Sequence, residues 1–175
     1  MKVLLDGNQI KQAIAGLADQ MAADLPKDVA IGVIGIRSRG EVLGQRLATM
    51  LSARLGQDVP CGTLDITLYR DDLNRPNRST QPQVRTTDIP FSIDDRILIL
   101  VDDVLFTGRS ARAALDALID LGRPRAIRLA VLVDRQGREF PIQADYVGLK
   151  TSIAPDKRVY VRLMESDGTD EVVIE

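Results

Sequence analysis

Two carboxylates stand side by side at Asp102-Asp103, directly after the most apolar stretch of the chain, Arg96 to Val101 (RILILV). Thr107, Gly108 and Ser110 follow within the run LILVDDVLFTGRS, Leu98 to Ser110, and a helical pattern begins at Arg109. A strand that ends in a turn and a helix delivers such carboxylates to the rim of a sheet. Backbone N–H groups at the start of the helix, reinforced by the positive end of its dipole, make an anion site. Gly108 permits close approach and unusual backbone angles, and Thr107 and Ser110 offer hydroxyl donors. The loop therefore suits a phosphate. The carboxylates repel a second phosphate but accept well from vicinal hydroxyls. A phosphate next to a diol describes a ribose 5-phosphate.

Competing chemistries fail on the same residues. Gly108 is followed by Arg109, so the Gly-Lys-Ser/Thr ending of a Walker loop is missing. Gly32, Gly35 and Gly40 lack the spacing of a dinucleotide fingerprint. The chain of 175 residues contains no histidine, which excludes serine-type triads and histidine-bearing zinc sites. Acid–base work falls to carboxylates, lysine, tyrosine or the substrate, and no residue is assigned as general base. The single cysteine, Cys61, excludes an internal disulfide, fits a reducing cytosol and reads as a buried filler.

Bulk properties narrow the class. The chain is 45% hydrophobic and 27% charged, ordinary globular usage. A net charge of −2 argues against a general polyanion binder. Aromatics amount to 3% and there is no tryptophan, so stacking platforms for single strands are scarce. No apolar run approaches the roughly 20 residues of a membrane span, and Met1 to Asp6 is too short an apolar start for a signal peptide. The expected location is the cytoplasm.

The elements that position the acidic pair can be read from periodicity. Asp6 and Gln9 form a capping box for a helix carrying Ile10, Ile14, Leu17 and Met21, with Pro26 at its exit. Val29 to Ile34 reads as a buried strand and Gly35 to Gly40 as a loop. A second helix carries Val42, Leu43, Leu47, Met50 and Leu51, and Cys61 to Tyr69 reads as a strand. Regular pattern stops from Arg70 to Ser92, a length that in compact domains is usually functional. The helix after the acidic pair runs from Arg109 to Leu121, with Ala113, Leu115, Leu118 and Ile119 on its apolar side, Gly122 as its stop and Pro124 beyond. Ala126 to Val133 is the next strand. Tyr146-Val147, Val159 to Leu163 and Val172 to Ile174 read as short strands. Alternating strands and helices imply an α/β, doubly wound, mostly parallel sheet with ligands at the carboxyl ends of its strands.

VDDVLFTGRS resembles the phosphoribosyl pyrophosphate motif of the type I phosphoribosyltransferases. LDITLYRDDL (Leu64 to Leu73) and LDALIDLGRPRAIRLAVLVDR (Leu115 to Arg135) are similar to one branch, the pyrimidine operon regulators with uracil phosphoribosyltransferase activity. The likeness extends over nearly the whole chain. It implies a single domain over 1–175, with a lid loop at about 70–92 and a small hood from the N-terminal segment and about 136–165. It implies that Asp102 and Asp103 hold the ribose hydroxyls and that Val104, Leu105, Phe106, Thr107, Gly108, Arg109 and Ser110 wrap the 5-phosphate. Ser38 and Arg39 would bind pyrophosphate, Arg135 and Val159 would contact nucleotide or base, and Arg75, Arg78 and Arg85 are the lid's candidates for pyrophosphate. The implied reaction converts uracil and phosphoribosyl pyrophosphate to UMP and pyrophosphate. Mg²⁺ would be held mainly by substrate and water, with no direct protein ligand. A dimer or larger homo-oligomer is implied as well.

The resemblance also implies uridine-nucleotide-dependent binding of a pyrimidine operon leader mRNA, which attenuates transcription. The basic positions that serve this role in the family differ here. Ala15, Gly16 and Asp19 occupy them on the first helix, whose only cation is Lys11; Gln136-Gly137 replaces Gly-His after LVDR; and Gln143 stands where a cation is common. Arg138 and Lys150 are kept, and Arg123, Arg125 and Arg128 cluster at a helix-to-strand corner. RNA affinity scales with the phosphates neutralised. The charge pattern thus favours an enzyme whose RNA binding is weakened or, as a salvage enzyme, lost; the rival is a nucleotide-sensing, RNA-binding regulator with little catalysis.

Overall fold

The computed structural model describes residues 1–71 and 86–175. Asp6 caps the first helix as its spacing requires: its side chain accepts from the Gln9 N–H at 2.9 Å while Gln9 returns a bond to the Asp6 N–H. Helix α1 (Gly7–Asp24) then buries Ile10, Ile14, Leu17 and Met21. Strand β2 (Ile31–Ile36) is buried at every residue. Helix α2 (Arg39–Leu55) seats Leu43, Leu47 and Leu51 in the core and ends on Gly56 in the left-handed region. Strand β3 (Cys61–Leu64) is shorter than its apolar pattern suggests. The Asp65 carboxylate accepts from both the N–H and the hydroxyl of Thr67, which turns the chain into a 3-10 helix, Thr67–Tyr69.

Strand β4 (Ile97–Leu105), helix α3 (Arg109–Leu121), strand β5 (Ala126–Arg135) and strand β6 (Tyr146–Thr151) complete a five-stranded sheet. Its order is β3-β2-β4-β5-β6 and every pairing is parallel. The faces are covered separately. Helices α1 and α2 pack with Val33, Ile99 and Val101 on one side, and α3 packs with Ile34, Leu98 and Leu100 on the other. Each such fully buried side chain contributes about 1.5–3 kcal/mol. On α3 the buried stripe is Ala111, Ala113, Ala114, Ala117 and Leu118, and Ile119, expected inside, faces solvent.

A second sheet sits beside the first. Strands β1 (Lys2–Leu5), β7 (Val159–Arg162) and β8 (Glu171–Ile174) pair antiparallel in the order β1-β8-β7. A single turn of helix, α4 (Met164–Asp167), joins β7 to β8. The hood sheet is thus drawn from the two ends of the chain, whereas β6, inside the expected hood range 136–165, extends the main sheet. No described helix is long and apolar enough to cross a membrane.

Candidate active site

The acidic pair lies within β4 rather than in the turn after it. Asp102 pairs with Val131 of β5, and the ladder runs on through Val104 to Leu105. Each carboxylate folds over the next peptide: Asp103 N–H donates to Asp102 Oδ1 at 2.9 Å, and Val104 N–H donates to Asp103 Oδ1 at 2.8 Å. Burial, and then the charge of Asp103, hold the Asp102 carboxyl well above the usual carboxylate range.

The loop that follows is held by its carbonyl groups. Arg138 donates to the Phe106 carbonyl at 2.7 Å, and the N–H groups of Glu139 and Phe140 donate to the Thr107 carbonyl at 2.8 and 3.0 Å. Gly108 stands at the N-cap of α3 with φ +91°. A residue with a Cβ is strained there, and glycine, unlike serine or aspartate, brings no acceptor of its own to the helix start. The Arg109 N–H donates to Thr107 Oγ1 at 3.3 Å, and the next amides of α3 face the loop as donors for an anion. Gly137, at φ +124°, completes the brace: a Cβ on it would stand 2.2 Å from a ring carbon of Phe106.

Two glycines bring the early loop to the same place. A Cβ on Gly35 would meet the Gly40 carbonyl at 2.2 Å, and one on Gly40 would meet the Val101 carbonyl at 2.6 Å and Asp102 Cα at 3.2 Å. The start of α2 therefore presses on β4 at Val101 and Asp102, which sets Ser38 and Arg39 beside the acidic pair. Arg39 donates to Ser38 Oγ at 3.0 Å and to Asp167 Oδ1 at 2.6 Å. Arg37 is spent on structure, bonding the Thr86 carbonyl, Glu41 and Thr63.

The other expected contacts fall in different surroundings. Arg135 is buried; its guanidinium lies 4.0 Å over the Phe106 ring and donates to the Lys157 and Ala154 carbonyls at 2.8 and 3.2 Å. It ties the loop after β4 to the segment leading into β7, where Val159 is half-buried opposite Ile174. Beside it an open cavity of about 530 Å³ is lined by Arg135, Arg138, Lys150 and Ser152 at the ends of β5 and β6. Arg109, at the mouth of α3, pairs with Glu139 and with Asp71, and Ser110 is exposed. Arg75, Arg78 and Arg85 lie outside the described residues. The Cys61 thiol is pushed up to about 11 by burial and by Glu41, as an inert filler requires.

Sequence reasoning weighed Arg138 and Gly137 only for RNA binding and missed Asp167. Gly137 carries the one readable signal, a glycine two residues past the end of a strand; Asp167 acts across 128 positions, which no local pattern reveals. As for a metal, no group of three carboxylate, thiol or imidazole side chains converges among the described residues. The donor set fits Mg²⁺ only where phosphate and water oxygens supply most ligands and an aspartate lies close by.

A phosphoribosyl transferase domain model matches residues 1–163. The chain belongs to that family. Within it, the chain is 52% identical over 169 residues to a Deinococcus radiodurans protein named bifunctional protein PyrR, covering 97% of this chain and 91% of that one. A Chloroflexus aurantiacus protein of the same name is 50% identical over 176 residues, covering 99% and 94%. These relatives put the chain in the pyrimidine operon regulator branch of the phosphoribosyltransferases. Among solved structures, a Trypanosoma cruzi hypoxanthine phosphoribosyl transferase matches with a TM-score of 0.72 at 19% identity, covering 99% of this chain and 90% of that one. A Bacillus anthracis hypoxanthine-guanine phosphoribosyltransferase matches at 0.69 and 20%, covering 91% and 86%. At those identities the likeness concerns the type I phosphoribosyltransferase fold.

Proposed function

We propose that this phosphoribosyltransferase transfers the ribose 5-phosphate of phosphoribosyl pyrophosphate to uracil, giving UMP and pyrophosphate. The observation that carries the reading is the convergence of three parts at one rim: the acidic pair, the glycine-opened helix start, and the Ser38-Arg39 turn pressed against Asp102. In this reading Asp102 and Asp103 accept from the ribose hydroxyls, and the loop from Val104 to Ser110 donates N–H groups to the 5-phosphate. Arg39 meets the pyrophosphate. As the bond from the anomeric carbon to pyrophosphate lengthens, positive charge grows on the ribose ring and negative charge on the leaving group. Cationic and amide donors fixed in advance lower that barrier because they need no reorganisation. Held mainly by substrate and water oxygens with the acidic pair close by, Mg²⁺ would supply further charge neutralisation of the leaving group.

Uracil is proposed on the LDITLYRDDL and LAVLVDR stretches, with the base received between Arg135 and the segment leading to Val159. The whole chain acts as one domain with the second sheet as its hood, in a dimer or larger homo-oligomer. Binding of a pyrimidine operon leader mRNA in the presence of UMP is the accompanying proposal. It is favoured by the bifunctional relatives and opposed by charge on α1, where Asp19 is paired with Arg54 and Asp24 accepts from the Tyr146 hydroxyl.

A paired titration on one preparation tests both. UMP formation is followed from uracil and phosphoribosyl pyrophosphate with Mg²⁺, and binding is measured to a leader RNA with and without UMP. Turnover with UMP-dependent RNA binding supports both activities. Turnover alone makes the chain a salvage enzyme, and RNA binding without turnover overturns the transfer reaction.

A further inference from the structure

A lone arginine on a rim loop is a poor preformed phosphate ligand, because its long side chain loses about 2 kcal/mol of rotamer freedom when fixed. Arg39 does not stand alone. Its guanidinium reaches out of the main-sheet body to Asp167, on the single-turn helix of the hood, at 2.6 Å. Asp167 is the better fixed of the two, with 17% of its side chain exposed against 37% for Arg39. Its second oxygen accepts the Leu163 N–H at 2.9 Å, and its own N–H donates to the Leu163 carbonyl at 2.7 Å. Leu163 is wholly buried. The turn is secured a second time by Arg46 of α2, which grips Glu165 on one edge and Asp170 on the other.

We propose that Asp167 is the positioning residue for Arg39: its carboxylate fixes one corner of the guanidinium in advance and leaves the rest to the pyrophosphate group. This rests on the reading of Arg39 given above. A guanidinium has five N–H donors; one goes to Ser38 and one to Asp167, which leaves three for a ligand. Fixing the fork before binding removes ordering entropy from the ligand's association. The hood therefore supplies a part of the pyrophosphate site although it holds none of the motif that announces that site.

Asp167→Asn is the discriminating change. Its carbonyl oxygen keeps the bond from Leu163 N–H while its amide NH₂ turns a donor toward Arg39. Binding of phosphoribosyl pyrophosphate with Mg²⁺ is measured by calorimetry on wild type, Asp167→Asn, Arg39→Gln and the double variant, alongside KM for each substrate and the melting temperature. The expected result is a loss of about tenfold in affinity for phosphoribosyl pyrophosphate in Asp167→Asn. The KM for uracil stays within error, the melting temperature falls no further than in Arg39→Gln, Asp167→Glu regains part of the loss, and Asp167→Asn costs no further affinity on an Arg39→Gln background. Wild-type affinity in Asp167→Asn, or an equal loss on both backgrounds, overturns the proposal. Wild-type protein that binds phosphoribosyl pyrophosphate but forms no UMP refutes the transfer reaction and leaves this inference standing. Wild-type protein that does not bind it refutes both.

Discussion

The two sheets of this chain are held by different forces. In the five-stranded sheet, Leu98, Ile99, Leu100 and Val101 of β4 are all 1% exposed or less, and helices close both faces. In the three-stranded sheet the row Leu5, Val172 and Val161 is buried, while the other row buries Val173 at its centre and leaves Val3 and Tyr160 51% and 38% exposed at its edges. Charge links this hood to α2: Arg46 to Glu165 and Asp170, and Arg39 to Asp167. Burial is insensitive to salt and pH, whereas partly exposed ion pairs are not. The acidic pair thus sits on the stiff body and its arginine partner is set by the adjustable one. On the reading proposed above, the division puts the ribose-holding groups on the deeply buried sheet and the arginine that meets pyrophosphate on contacts that can be remade.

The largest effect that separates the two bodies is chemical. Asp103→Asn and Asp102→Asn should each lower UMP formation by about 10³-fold, the scale for removing a group aligned on the reacting centre. Circular dichroism of both variants should match wild type, since neither side chain supports the core. Activity within tenfold of wild type would remove the ribose assignment and with it the contrast.

Arg46→Met comes next. It deletes four hydrogen bonds to two carboxylates and leaves those carboxylates facing each other. Opening of the hood should become easier by about 2 kcal/mol. Native-state hydrogen exchange is the right measurement, because it resolves local opening from global unfolding. Amides of β7 and β8 should lose protection while those of β4 keep theirs; equal loss in both would mean that the two sheets open as one unit.

Acid sharpens the same division. Hydrogen bonds from Arg46 hold Glu165 and Asp170 below the usual carboxylate range, and the Leu163 N–H followed by Arg39 does so for Asp167. A carboxylate whose native value is depressed adds stability above its unfolded value and loses it as the pH falls through the native one. Hood protection should therefore decline as the pH drops from about 5 toward 2. In Arg46→Met that acid limb should be shallower, because two of the three depressed groups have lost the cation responsible.

How legible each body was in the sequence follows from the same physics. Fully buried parallel strands announce themselves as apolar runs, so Arg96 to Val101 and Ala126 to Val133 were readable, as was α3 from its stop at Gly122. The acidic pair was legible because motif and fold coincide there. Strand β1 was not, since Lys2 to Leu5 has too few residues for a period and forms by pairing with β8 at the other end of the chain. Cys61 to Tyr69 misled because the Asp65–Thr67 turn ends the strand while the apolar pattern continues. The hood's contribution to the site was invisible. An arginine and an aspartate far apart in sequence carry no signal until the fold joins them.

The smallest effect has the opposite sign and tests the stiff body on its own terms. Asp102 is held above the usual carboxylate range by burial and by the charge of Asp103. Its native state therefore binds a proton more tightly than the unfolded chain does, and stability falls as the pH rises from the unfolded value through the native one. Above the unfolded value, the burial of Asp102 beside a second carboxylate therefore opposes folding. Asp102→Asn keeps the shape, removes that charge and retains an oxygen to accept the Asp103 N–H. It should raise stability by about 1 kcal/mol, visible as a melting temperature a few degrees higher. The gain should grow as the pH rises from acid, because at low pH the Asp102 carboxyl is protonated in wild type as well. Loss of activity with a gain in stability is what a charge kept for its ligand predicts; loss of both would show that Asp102 holds the end of β4 together.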